Sequence, residues 1–135
     1  MKLLALFLAL AVAGCGARTA PGRIGSGPQY WRPAAAEEPW RISGYLDTRR
    51  EWGLLGSSPK HEIVVTVNGR VAMQAEMPRD EAIEIEGKAE GRSVSALCTP
   101  HMVSRATLQV NCLVLVANER AATLSLVAGT NRPRA

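Results

Sequence analysis

Five side chains in this 135-residue chain have reactive or metal-binding potential, and their spacing allows two kinds of chemistry. They are Cys15, Cys98, Cys112, His61 and His101. The last two cysteines and His101 form a C-x2-H…C set, to which His61 or Met102 could add a fourth ligand. Soft thiolate and thioether donors suit Cu(I) or zinc. In an exported domain, however, an even pair of cysteines usually forms a disulfide, so the compartment decides between the two.

The sequence carries none of the common catalytic motifs: G-x-S-x-G, H-E-x-x-H, a glycine-rich phosphate loop or C-x-x-C. Nucleophilic catalysis would need His101 beside Ser104 or Cys98, and His101 falls in a predicted turn. Glu84 and Glu86 alternate on a predicted solvent face, where paired carboxylates are usually solvated. We therefore expect a protein that is not an enzyme.

The N-terminus has the pattern of an export signal. Lys2 precedes an uninterrupted apolar run over residues 3–13. As a helix, such a run spans about 16 Å, too short for a ~30 Å hydrocarbon core but typical of a signal peptide. The run ends in Val12-Ala13-Gly14-Cys15, which resembles the lipobox of bacterial lipoproteins.

The resemblance implies that residues 1–14 are a cleaved signal peptide and that Cys15 receives lipid, including palmitate. Two or three acyl chains would hold the protein stably on a membrane. An Asp at residue 16 would resemble an inner-membrane retention signal, but residue 16 is Gly. This favours attachment to the outer membrane, facing the periplasm, if the source has two membranes. Export also favours a Cys98–Cys112 disulfide, and we expect no metal or other cofactor.

Composition argues against nucleic-acid binding. The chain has 16 Lys+Arg against 12 Asp+Glu, and its 13 arginines are scattered without a block of like charges. A nucleic-acid surface needs clustered basic residues with interleaved aromatics. We expect a membrane contact through the lipid on Cys15 and a protein partner in the envelope instead.

The mature chain divides into a tether, one domain and a tail. Residues 15–39 are rich in Gly, Pro, Ala and Arg, which predicts an acylated N-terminus and flexible tether, although Tyr30 and Trp31 could fold back on the domain. Residues 129–135 read as a disordered tail. Between them, residues 40–128 alternate apolar and polar with a period of two, which predicts strands. The predicted strands cover residues 40–47, 61–67, 71–77, 82–89, 93–98, 107–116 and 122–127.

Register tests this assignment, because a slip of one residue would send an apolar set to the wrong face. A two-residue turn at Glu90-Gly91 places Ile83 opposite Cys98, and pairing of Cys98 with Cys112 keeps the apolar faces aligned. At Asn68-Gly69, a two-residue turn would pair Thr66 with Val71 and so place a polar residue opposite an apolar one. We therefore predict a three-residue loop with a bulge at Gly69, pairing Val65 with Val71.

The predicted fold is all-β: a small antiparallel meander of six to seven strands, closed as a barrel or folded as a sandwich, with one disulfide. Its second face is mostly polar but carries an apolar patch. We call this the leucine patch; its residues are Leu97, Leu113, Leu115 and Val127. Residues 30–56 would cover it or a partner would, and intramolecular cover is the favoured expectation.

Two functions fit these observations. The first is a non-enzymatic interaction or accessory module that docks on another envelope protein. The second is a small-ligand-binding or hydrolase-inhibitor β-barrel, since lysozyme-inhibiting lipoproteins are similar in size and anchor, although their Ser-Gly-x-x-Tyr type of motif is missing here. The predicted loop 99–106 could bind a partner through its central residues, namely His101, Met102, Val103 and Arg105.

Overall fold

A computed structural model describes residues 23–34, 38–104 and 107–129, and these residues are almost entirely β-strand. The strands are β1 (Arg23–Gly25), β2 (Gln29–Trp31), β3 (Trp40–Gly53), β4 (Gly56–Val67), β5 (Arg70–Met77), β6 (Ile83–Ala89), β7 (Arg92–Ser104), β8 (Thr107–Val116) and β9 (Glu119–Gly129). The all-β prediction is confirmed.

The strands form two antiparallel sheets rather than one closed barrel. One sheet has the order β1-β3-β4-β5, with β2 also paired to β3, and the other has the order β6-β7-β8-β9. Because β1 and β2 lie end to end along the same edge of β3, each sheet is four strands wide. The chain passes from one sheet to the other between Met77 and Ile83.

The sandwich interior is built by alternation on both sheets. In β8, for example, the residues from Leu108 to Val116 are buried at every second position, as expected for strands with one face in a core. The two inner faces join in one hydrophobic cluster. Its fully buried large side chains include Ile42, Leu46, Ile63, Val65 and Val67 from the first sheet and Val94, Val110, Val114, Val116, Leu124 and Leu126 from the second.

The predicted registers of β6, β7 and β8 are confirmed. Ile83 pairs with Cys98, and Cys98 pairs with Cys112. The predicted loop at residues 68–69 is wrong: the turn has two residues, Asn68 (φ 52°) and Gly69 (φ 80°). Positive φ at both positions is the geometry that Asn-Gly favours.

A bulge in β5 makes this two-residue turn compatible with the apolar faces of β4 and β5, which the sequence argument had expected it to mismatch. Thr66 pairs with Val71, but Val65 pairs with Met73, so Ala72 is the additional residue on β5. The bulge returns Met73 to the core and leaves Val71 57% exposed. The pairing of Val65 with Val71 is therefore wrong by two residues.

The chain has more strand positions than the six to seven predicted. The additional edge position is formed by β1 and β2, which lie within residues 15–39, and the ordered domain includes them rather than beginning at residue 40. Strands of three residues in a Gly- and Pro-rich stretch show no alternation that sequence reasoning could detect. The predicted signal peptide, Cys15 and residues 130–135 of the predicted tail lie outside the described residues.

Candidate functional site

Cys98 and Cys112 form a disulfide in the core of the second sheet. Their Cα atoms are 4.1 Å apart, and neither residue is exposed. Thiols joined in this bond are not available as metal ligands. His101 is three residues from Cys98 along β7, so its side chain lies on the opposite face of the strand. Among the described residues, no group of three His, Cys, Asp or Glu side chains could hold a metal ion.

The predicted binding loop 99–106 is mostly strand. β7 continues to Ser104, and its residues pair with β8 as far as Thr107. His101, Met102 and Val103 are exposed on this extension, while Arg105 lies outside the described residues. In the sequence, the alternation of apolar and polar residues that predicts this strand ends at Cys98. The pairing of β7 with β8 continues beyond that point because β8 supplies hydrogen-bonding partners.

The leucine patch lies on the outer face of the second sheet. Leu97 on β7 is directly opposite Leu113 on β8, and Leu115 follows two residues later on the same face. Leu97 is 49% exposed, whereas Leu113 and Leu115 are half-buried by their neighbours. The three leucines therefore form one continuous apolar surface.

Val127 is separated from the three leucines. It pairs with Gln109, four residues along β8 from Leu113. Polar Asn111 and Ser125 occupy the intervening row of the ladder, and Val127 is 39% exposed. The structure therefore brings together three of the four predicted patch residues.

The expectation that residues 30–56 cover the leucine patch is wrong. Trp40 is buried in the core, Trp31 packs against the core, and their rings meet edge to face with centroids 5.8 Å apart. Trp52 is 80% exposed at the far end of β3. Trp31 and Trp40 therefore pack in or against the sandwich interior, whereas Trp52 projects from the domain. The strands that carry them, β2 and β3, lie in the sheet opposite the leucine patch, since β3 pairs with β4.

The outer face of the first sheet carries paired charges. Arg49 lies 3.3 Å from Glu62, and Lys60 lies 3.1 Å from Glu76 and 3.7 Å from Glu51. These residues line an open groove of about 280 Å³ together with Arg50 and His61. The contacts to both carboxylates raise the pKa of Lys60. Exposed ion pairs of this kind contribute little to stability, and charged residues and His61 line the groove.

His61 is a buried polar residue on the inner face of β4. Its Nδ1 lies 2.9 Å from the Thr48 hydroxyl on β3. Burial, together with the nearby charge of Arg79, lowers the pKa of His61, so the imidazole is neutral at neutral pH. One hydroxyl partner and little solvent access suit a structural histidine.

The β3–β4 hairpin carries an apolar tip that sequence reasoning did not identify. Trp52, Leu54 and Leu55 are largely or fully exposed around the Leu54-Leu55 turn, which follows Gly53 and precedes Gly56. We call these three side chains the hairpin tip. The signal in the sequence was Trp-Gly-Leu-Leu-Gly, an apolar sequence between glycines in a segment rich in charge.

No helix in the described part of the chain is long and apolar enough to cross a membrane. Comparisons with protein-family models, curated proteins and solved structures found no match to this chain.

Proposed function

We propose that this protein is an envelope lipoprotein, anchored by lipid on Cys15, whose β-sandwich is a non-enzymatic module that docks on another envelope protein. The observation that carries the proposal is the continuous apolar surface of Leu97, Leu113 and Leu115 on an outer sheet face. Contiguous apolar surface on a soluble domain usually marks an interaction site.

The packing of the interior favours docking over ligand binding inside the domain. At Gly87 on β6, an added Cβ would lie 2.0 Å from the Ala72 carbonyl oxygen on β5. At Gly44 on β3, it would lie 3.1 Å from a Leu124 methyl group on β9. The two sheets therefore approach closely at both sites, so a ligand has no space there. A ligand-binding barrel needs an open interior.

The anchor is tested by labelling with palmitate. The wild-type protein is expected to incorporate label and a Cys15→Ser variant to lose it. Label that persists in the variant would refute lipidation at this residue. This result is independent of the docking surface, because the Cys15→Ser substitution changes no residue of the leucine patch.

The docking surface is tested by site-specific photocrosslinking in intact cells. A photoreactive phenylalanine analogue in place of Leu97 is expected to give one adduct of fixed mass. The same analogue in place of Glu76, exposed on the outer face of the other sheet, is the matched control and should give none. Leu113→Asp should abolish the Leu97 adduct, since a charge beside the crosslinker opposes apolar docking. Equal adducts at both positions, or none at either, would contradict the proposal.

A further inference from the structure

The β3–β4 hairpin extends beyond the sandwich. β4 pairs with β5 only from His61 onward, so the hairpin residues between Arg49 and Lys60 form a two-stranded ladder with exposed faces. From Thr48, opposite His61, six residues lead to Leu54, a distance of about 20 Å at 3.3 Å per residue. The hairpin tip is therefore held away from the rest of the domain.

The side chains of this projection have a membrane-interface composition. Trp52 places an amphipathic ring beside two fully exposed leucines, and tryptophan is enriched where bilayers meet water. Arg49, Arg50 and Lys60 lie behind the apolar tip, where Arg49 is paired with Glu62 and Lys60 with Glu76 and Glu51. Arg50 donates to the neutral Ser57 hydroxyl at 3.1 Å, so this contact leaves its charge uncompensated.

The first strand, β1, points with its N-terminal end toward the hairpin tip. Arg23 pairs with Asp47 and Gly25 with Tyr45, so the chain traced backward along β1 runs toward the hairpin tip. From Asp47 to Leu54 is about 23 Å along β3. The eight residue steps from Arg23 back to Cys15 span at most about 29 Å. A lipid on Cys15 is therefore within reach of the plane that the tip occupies.

We propose that the hairpin tip inserts into the interface of an anionic bilayer, as a second membrane contact beside the N-terminal lipid. Leu54, Leu55 and the Trp52 ring enter the headgroup and acyl boundary, while the Arg50 guanidinium faces anionic headgroups. The inference deepens the proposed lipoprotein function and rests on it for the orientation of the N-terminus. The shape and chemistry of the tip are independent of it.

A bilayer fits this convex tip better than a second copy of the chain. A standard protein interface buries about 800 Å² per partner over 20 or more residues, and three apolar side chains on a narrow hairpin supply much less. A bilayer deforms around a projecting group and needs no complementary surface. The charge of Arg50 behind the tip, which its contact with Ser57 does not compensate, matches the negative surface potential of anionic lipid.

Fluorescence at the tip tests insertion. The native disulfide makes Cys98 and Cys112 unreactive, so Leu54→Cys offers a thiol for an environment-sensitive fluorophore. The protein with native Leu54 is labelled in parallel, because a Cys15 thiol without lipid would also react and its emission must be subtracted. The labelled, membrane-purified protein is reconstituted into vesicles of phosphatidylcholine with about one-third phosphatidylglycerol. We expect blue-shifted emission that iodide does not quench. Val71→Cys is the matched control, because Val71 is an exposed apolar position beside the Asn68-Gly69 turn at the other end of β4. A fluorophore there should keep the emission that it has in water.

Charge is tested in the same assay. Arg50→Gln is expected to lower the ratio of inserted to exposed tip about fivefold, the effect of one basic residue near an anionic surface. Vesicles of phosphatidylcholine alone should lower it in the same direction.

The outcomes separate the two proposals. Aqueous emission from position 54 in vesicle-bound protein would overturn tip insertion, and so would a blue shift that appears without vesicles and grows with protein concentration. The mass of the same purified chain shows independently whether Cys15 carries lipid. An inserted tip on an unacylated chain would refute the anchor alone, and an acylated chain with its tip in water would refute this inference alone.

Discussion

His61 makes the stability of the domain depend on pH. Burial and the charge of Arg79 lower its pKa in the folded state, whereas in the unfolded chain the pKa is about 6.5. Between these two values the unfolded state binds more protons, so the free energy of unfolding rises with pH. The contribution is fully present above about pH 6.5 and is lost as pH falls toward the lowered native value.

A His61→Gln variant tests this dependence. Wild-type protein should lose stability between about pH 7.5 and about pH 5.5, a window above the titration of ordinary carboxylates. The variant keeps a polar group beside Thr48 and should lose less across the same window. The measurement is urea unfolding at both pH values. Equal losses in the two proteins would show that other groups cause the pH dependence.

The Cys98–Cys112 disulfide links the middle of β7 to the middle of β8. It closes a loop of about 15 residues, which corresponds to about 3 kcal/mol in the chain-entropy model. Cys98→Ala with Cys112→Ala should lower the free energy of unfolding by about that amount in urea. Reduced and alkylated wild-type protein is the comparison. A variant as stable as the oxidised protein would contradict a structural role for the bond.

At the scale of elements, the two sheets approach closely where β5 faces β6. The Cβ of a Gly87→Ala variant would lie 2.0 Å from the Ala72 carbonyl oxygen and 2.7 Å from the Met73 side chain. Because a backbone atom must move, we expect a loss of about 2–3 kcal/mol in stability, measured by urea unfolding. Gly27→Ala is the control, since nothing lies within 4 Å of its added Cβ. Similar stabilities for the two variants would show that the sheets separate easily.

At the opposite seam of the sandwich, Gln29 on β2 bridges to β9. Its amide nitrogen donates to the Thr123 carbonyl, and its amide oxygen accepts from the Thr123 N–H at 3.1 Å. The side chain thus replaces a strand partner on an edge of the second sheet, where unpaired groups invite other chains.

A Gln29→Ala variant should lose about 1 kcal/mol per lost hydrogen bond and speed exchange of the Thr123 amide hydrogen. Gln74→Ala is the matched control, because Gln74 donates to the Glu62 carboxylate on an exposed face and not to a backbone group. Native-state hydrogen exchange measures both variants. Unchanged exchange at Thr123 in Gln29→Ala would mean that β9 is protected by other contacts.

The elements were predictable where alternation and turn chemistry agreed. The registers around Cys98 followed from the apolar faces, and Glu90 and Gly91 form the predicted two-residue turn, with φ of 49° and 74°. The Asn68-Gly69 turn was missed because strict alternation was assumed through Ala72, whereas a bulge corrects the faces after the turn. The outer half of the β3–β4 hairpin was also missed, since it buries no apolar face.

For the whole molecule, three features lie at different places on one rigid sandwich. The N-terminal end of β1 points toward the hairpin tip, and the leucine patch lies on the flank of the second sheet. In the orientation that we propose, the tip meets lipid and the patch faces along the membrane plane. One molecule could then hold a bilayer and a neighbouring envelope protein together.

The candidate surfaces were only partly predictable at this scale. Alternation identifies the outer-face residues Leu97, Leu113 and Leu115 but does not show what lies above them. That depends on the positions of Trp31, Trp40 and Trp52. Trp40 is buried in the core, and Trp31, paired with it across β2 and β3, packs against the core. Such long-range packing leaves no local pattern in the sequence, and for the same reason the exposed tip had no local signature beyond its composition.

An uncovered leucine patch has a consequence for stability that distinguishes it from the core. Leu97→Ser removes a half-exposed side chain and should change the free energy of unfolding by no more than about 0.5 kcal/mol. Leu124→Ala removes a fully buried side chain and should cost about 2–5 kcal/mol. Urea unfolding of the purified, full-length variants compares the two. If Leu97→Ser proves as costly as Leu124→Ala, some segment of the chain packs on the patch, and the patch is not free to dock on a partner.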